Sequence, residues 1–130
     1  MAGVYLDSSA IVKLAVREPE SDALRAYLRR RRPWVSSALA RTEVLRSLLV
    51  GGEEALAAGR RALAHCDLVR VNDRVLKLAG TLPPLELRPL DAIHLATAER
   101  LGDDIGEFVV YDERMAAVAR GLGYRVTAPE

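Results

Sequence analysis

The sequence predicts an α/β fold, a central parallel sheet with helices on both faces. Two observations carry that expectation. Short apolar segments alternate with helix-length amphipathic ones along the whole chain, the pattern of strands joined by crossover helices. No internal repeat, low-complexity tract or linker interrupts the alternation, so residues 1–130 read as a single domain. Composition agrees. Half the residues are apolar and 28% are charged, enough to bury a core, and with aromatics at only 5% that core must be mostly Leu, Val, Ile and Ala.

The elements follow in order. Gly3-Val4-Tyr5-Leu6 reads as a short buried strand that runs into Asp7. Ser8 and Ser9 offer caps for a helix with its body at 10–16, and Glu18-Pro19-Glu20-Ser21 breaks it. Residues 22–32 form a second helix with Leu24, Tyr27 and Leu28 on one face. Residues 33–37 give a short strand and a cap; 38–50 is a helix stopped by Gly51-Gly52, and 53–66 is another. Residues 68–71 are strand-like. Asn72 caps a helix reaching about Gly80, and Pro83-Pro84 closes that region. Pro89 occupies the first turn of a helix over 90–101. Phe108-Val109-Val110-Tyr111 is a second well-marked strand, again followed by an acid, Asp112. A helix over 114–120, closed by Gly121 and Gly123, leads to a last strand at 124–126.

Several classes are excluded. The mean hydropathy of +0.04 and the short apolar runs leave no stretch of the roughly 20 residues a membrane helix needs. The first apolar run has no basic residue ahead of it and ends at an acid, which is not a signal peptide. A lone Cys66 precludes an intrachain disulfide and a multi-cysteine zinc site. A soluble, cytoplasmic location is the expectation. The net charge of +1 hides an asymmetry: residues 24–61 hold nine Arg, no Lys and three Glu, a local +6. Four of those arginines are consecutive, at 29–32, and cannot all face inward on one helix. Such a region suits a polyanion or an acidic protein segment, or is simply a solvated face.

Four acids stand out. In parallel α/β folds the functional crevice lies at the carboxyl ends of the strands, where Asp7 and Asp112 fall; each also has an ordinary reading as a helix N-cap. With Ser8 and Ser9 available, Asp7 is partly redundant as a cap. Glu43 sits in a helix apolar around most of its circumference, so it should be largely buried, which is costly unless Arg41, Arg46 or a metal ion neutralises it. Asp91 opens its helix, where the dipole favours an acid; His94, three residues on, reads as a satisfied structural histidine. His65 and Cys66 are adjacent on a helix and diverge, which discounts them as a metal pair. Carboxylates gathered at one sheet edge repel unless a cation joins them, and an oxygen-only set suits Mg²⁺ or Mn²⁺.

The blocks Tyr5-Leu6-Asp7-Ser8-Ser9-Ala10, Arg41-Thr42-Glu43-Val44-Leu45, Leu90-Asp91-Ala92-Ile93-His94-Leu95-Ala96-Thr97-Ala98 and Val110-Tyr111-Asp112-Glu113-Arg114-Met115 resemble a PIN-domain ribonuclease, and more narrowly the VapC-type toxins of toxin–antitoxin pairs. The resemblance covers nearly the whole chain, and its third block is the most specific. It implies a three-layer α/β/α fold and a metal-dependent endoribonuclease that cleaves RNA phosphodiester bonds by metal-activated water. It further implies that Asp7, Glu43 and Asp91 are the core Mg²⁺ ligands, with Mn²⁺ able to substitute. Asp112 is then a fourth acid that acts through water, and Ser8 a small polar residue near the metal. RNA as substrate, a cognate antitoxin and a homodimer are the implied partners. One departure is visible: the family often has Thr or Ser where this chain has Val110.

Two other functions compete. A receiver-like phosphoacceptor also places acids at strand ends but needs a lysine late in the sheet, and Lys13 and Lys77 are not so placed. A catalytically degenerate PIN module would bind RNA or protein without cleaving, and retention of all four acids counts against it. Self-association is also expected, because Leu24, Tyr27, Leu28, Trp34, Leu56 and Leu63 carry more apolar surface than a small sheet can obviously cover.

Overall fold

The computed structural model describes residues 2–130; Met1 lies outside the described residues. Five parallel strands form one sheet in the order β3-β2-β1-β4-β5: β1 (Gly3–Leu6), β2 (Trp34–Ser37), β3 (Cys66–Val69), β4 (Ile105–Val109) and β5 (Arg125–Thr127). Seven α-helices connect them: α1 (Ser8–Ala15), α2 (Ser21–Leu28), α3 (Ala40–Leu48), α4 (Gly52–Ala64), α5 (Asp73–Thr81), α6 (Pro89–Leu101) and α7 (Glu113–Gly121). The expected α/β class with a parallel sheet is what the chain adopts.

The central strand shows how the layers form. Side chains on a strand alternate faces. Val4 and Leu6 join one core with Ala10, Ile11, Leu24, Leu28, Val44 and Leu63 from the first four helices. Tyr5 points the other way, into a second core with Leu95, Phe108, Met115 and Ala119 beneath α6 and α7. All four residues of β1 are buried, as a strand covered on both faces requires. Leu24, Leu28 and Leu63 are buried, with Tyr27, Trp34 and Leu56 packed against the same cluster. The apolar surplus expected on these helices is therefore absorbed within one chain, and that ground for self-association is gone.

Other expectations shift. β3 begins at Cys66 rather than residue 68, because the ladder pairs Cys66 with Trp34 and ends α4 at Ala64. β4 begins at Ile105 and ends at Val109, so Asp112 stands three residues past its strand. Gly52 has φ 76°, a left-handed backbone that only glycine adopts at little cost, and it lets the chain turn from the end of α3 into α4, which it opens. α3 is not buried all round: Arg41, Thr42, Arg46 and Ser47 face solvent, and only Ala40, Val44 and Leu48 are fully buried. The few apolar positions that touch the core suffice to dock it.

The strand order places the crevice. From β1 the chain moves outward to β2 and β3, then returns to the other side of β1 as β4 and continues outward to β5. The β1/β4 boundary is the point where the winding reverses, and there the connecting segments part at the carboxyl ends. Asp7 N–H donates to the Val109 carbonyl across this boundary at 3.3 Å.

Candidate functional site

Asp7 ends β1 and is the N-cap of α1, its Oδ1 accepting from Ala10 N–H at 3.1 Å. The Ser9 hydroxyl donates to the same carboxylate at 2.9 Å. The expected division of labour is thus reversed: Asp7 does the capping, Ser9 supports it, and Ser8 is released to donate to Glu43 Oε1. Asp112 likewise caps α7, accepting from Arg114 N–H at 3.0 Å. Capping uses Oδ1 of each carboxylate; Oδ2 of Asp7 also accepts from Ser9 at 3.0 Å, and Oδ2 of Asp112 faces Arg88 at 3.4 Å.

Glu43, near the start of α3, is 23% exposed at its side chain and bonds neither Arg41 nor Arg46. Its partner is His94, whose Nε2 lies 2.6 Å from Glu43 Oε1. A carboxylate accepts, so Nε2 carries the hydrogen and Nδ1 faces the Tyr5 hydroxyl at 2.8 Å. His94 is 2% exposed and satisfied on both nitrogens, the structural histidine expected, and it also orients an acid of the candidate site. The row Tyr5–His94–Glu43–Ser8 thus links β1, α6, α3 and α1.

Asp91, in the first turn of α6, is 26% exposed at its side chain and shares a groove with Glu43, Arg88, Pro89 and Leu90. Arg88 joins it to the fourth acid: Nε lies 3.6 Å from Asp91 Oδ2, and Nη2 lies 3.4 Å from Asp112 Oδ2. Arg88 therefore links Asp91 to Asp112, while Ser8, next to Asp7 in the chain, donates to Glu43. Arg88 is the residue the sequence reading missed. Its signal was its place just before Pro89 and three residues before Asp91, where a long side chain reaches the first turn.

The charges feel one another. Burial lifts the Asp7 carboxyl to about 6, against the Ala10 and Ser9 hydrogen bonds, and the neighbouring Asp91 charge adds to the rise. Burial also raises Asp91; Arg88 opposes this, while Asp112 and Glu43 reinforce it. At Glu43, burial is outweighed by the hydrogen bonds from His94 and Ser8, and its carboxyl is held below the ordinary value. A buried acid with a raised pKa costs stability once ionised. In metal-free buffer Asp7 thus destabilises the fold increasingly as pH rises from about 4 through about 6. Asn caps a helix as well as Asp does, so Asp7→Asn should match wild type near pH 4. It should be more stable by up to about 3 kcal/mol at pH 7. Thermal melts in EDTA at both pH values check this; a variant less stable at pH 7 contradicts it.

Val110 is 1% exposed and packs with Tyr5, Leu95 and Met115, so at this departure from the family pattern the chain places core rather than site. His65 caps the end of α4 while Cys66 opens β3, so the two do not sit together on a helix as expected.

A hard divalent ion takes oxygen ligands, and the four acids offer only oxygens. Among the described residues no group of three or more His, Cys, Asp or Glu is gathered tightly enough to hold an ion as the side chains stand. Yet a guanidinium already lies between Asp91 and Asp112, so positive charge is accommodated there. By its chemistry, four carboxylates and no softer donor, the set suits such an ion.

A five-stranded parallel sheet between two helical layers makes this an α/β/α domain. The chain belongs to the PIN domain family, whose family model matches residues 4–121. It is 70% identical over 129 residues to Ribonuclease VapC46 of Mycobacterium tuberculosis (strain ATCC 25618 / H37Rv), with 99% of each chain covered. Two solved structures share the fold. One is a toxin–antitoxin complex from Klebsiella pneumoniae, with TM-score 0.75, 19% identity and 98% of each chain covered. The other is Mycobacterium tuberculosis VapC20, a sarcin-ricin loop cleaving toxin, with TM-score 0.76, 17% identity, and 98% of this chain and 100% of that one covered.

Proposed function

We propose that the chain is a Mg²⁺-dependent endoribonuclease, the toxin of a type II toxin–antitoxin pair, acting in the cytoplasm as one nuclease domain over residues 1–130. The observation that carries this is the similarity to Ribonuclease VapC46, supported by acids near enough to feel one another's charge: Asp91 acts on Asp7, and Asp112 and Glu43 act on Asp91.

Asp7, Glu43 and Asp91 would hold the ion, and Asp112 would position water at its margin. A divalent ion at such a site supplies stabilisation of charge on the phosphate and a more acidic water. The chain supplies placement. The caps of α1 and α7 fix Asp7 and Asp112. Ser8 and His94 hold the Glu43 carboxylate ionised and aimed, and Tyr5 holds His94. The groove lined by Glu43, Arg88, Leu90 and Asp91 is the path by which a strand of RNA reaches the acids. RNA cleavage should disappear in EDTA and return with Mg²⁺ or Mn²⁺; cleavage that persists in EDTA contradicts the reading.

A second groove supports the antitoxin assignment. Arg25, Arg29, Arg32 and Arg61 line it with Trp34 and His65. It lies at the amino-terminal edge of the sheet, where β2 and β3 begin, away from the acids. The run at 29–32, which could not all face inward, is exposed throughout. The basic groove suits an acidic antitoxin segment; Arg29→Ala with Arg61→Ala should weaken capture of the product of the neighbouring reading frame and leave turnover unchanged, and unaltered capture sinks the assignment. The homodimer is proposed on different grounds from those first expected. Leu76 and Leu85 are 47% and 100% exposed beside an apolar groove between α5 and α6, and a concentration-independent monomer mass in light scattering contradicts it.

A further inference from the structure

Arg88 reaches two carboxylates that belong to different helices. Asp91 lies in the first turn of α6 and Asp112 caps α7, and the guanidinium touches one through Nε and the other through Nη2. It is the one cation that joins two of the four acids among the described salt bridges. Its side chain is 66% exposed, and it stands in the wall between two grooves. Glu43, Pro89 and Leu90 line one of them, and Leu87, Arg114 and Met115 line the other. Both contacts exceed 3.3 Å and are open to water, where such a pair is worth roughly 0–1 kcal/mol. The contact is thus weak enough to break. A planar guanidinium also has the fork needed to serve two acids at once.

We propose that Arg88 is a positioning residue that acts as the resident counter-cation of the acid cluster. It draws Asp91 and Asp112 together while no metal is bound, and it must swing away before a divalent ion can use them. The inference rests on reading the four acids as a metal site. Two positive groups cannot share the same carboxylate oxygens without repulsion, so Arg88 and the ion compete. Metal affinity is thereby lower than the acids alone would give, and the metal-free edge is protected from carboxylate repulsion.

The test is calorimetric titration of Mn²⁺ into metal-free wild type, Arg88→Ala, Arg88→Lys and, as a site control, Asp91→Asn, with a thermal melt of each in EDTA. Wild type should bind and Asp91→Asn should not. Arg88→Ala should bind Mn²⁺ about 3- to 10-fold more tightly, the factor that loss of a weak competing ion pair allows. Arg88→Lys, which keeps the charge, should stay near wild type. In EDTA, Arg88→Ala should melt below wild type. Unchanged or weaker Mn²⁺ binding by Arg88→Ala, with wild type binding normally, overturns the proposal and leaves the metal site standing. A lower melting temperature with unchanged affinity does the same, because it makes Arg88 merely structural. A wild type that binds no Mn²⁺ overturns the metal-site reading itself, and this inference with it.

Discussion

Asp91→Asn should reduce RNA cleavage by about 10³-fold, the several kcal/mol of charge stabilisation that a misheld metal ion no longer provides. The fold should survive unharmed. Asp91 lies in the first turn of α6, partly exposed, and its carboxyl is raised by burial and by the nearby Asp112 and Glu43 charges despite Arg88. Ionised Asp91 is therefore under repulsion in the metal-free protein, and a neutral amide of the same shape relieves it. Melting in EDTA should be unchanged or higher, while cleavage assayed in Mn²⁺ collapses. A much lower melting temperature would make Asp91 a structural acid. Full residual cleavage would remove it from the site.

His94→Ala should have the largest effect on stability, on the order of 2–4 kcal/mol, from the cavity and the two stranded partners. The imidazole is 2% exposed and edge-on to Tyr5, with ring centroids 5.8 Å apart. Its removal orphans the buried Tyr5 hydroxyl and leaves Glu43 held by Ser8 alone. The melting temperature should fall by on the order of 10 °C. Cleavage should also drop, because Glu43 loses its orientation. Tyr5→Phe separates the two effects: it leaves the His94–Glu43 bond in place and should cost only about 1 kcal/mol, with cleavage retained. A His94→Ala protein as stable as wild type contradicts the account of the buried row.

The sequence made the parallel sheet legible because its central strands lie in short apolar runs between helix-length segments, and Asp7 and Asp112 were marked by their places after two of the clearest runs. What it left hidden depends on tertiary contact. Whether Glu43 pairs with Arg41, Arg46 or something distant is not a matter of local spacing; its partner proved to be His94, 51 residues away. The choice between Asp7 and Ser8 as the cap was settled by Glu43, which recruits the Ser8 hydroxyl from another helix. The apolar count on 22–66 suggested self-association wrongly, because α1–α4 consume that surface among themselves and against β1. Arg88 could be placed beside Asp91 from its spacing, but only the folded chain brings Asp112 to its other side.

Asp7, Glu43 and Asp91 are proposed to share a divalent ion, with Asp112 at its margin. Crystals grown in Mn²⁺, with diffraction collected to reveal the anomalous signal of manganese, test it most directly. The predicted result is a peak at the β1/β4 edge with carboxylate oxygens of Asp7, Glu43 and Asp91 at about 2 Å, and Arg88 turned away from Asp91. A protein saturated with Mn²⁺ that shows no peak among these acids, or shows the ion bound elsewhere, would contradict the account.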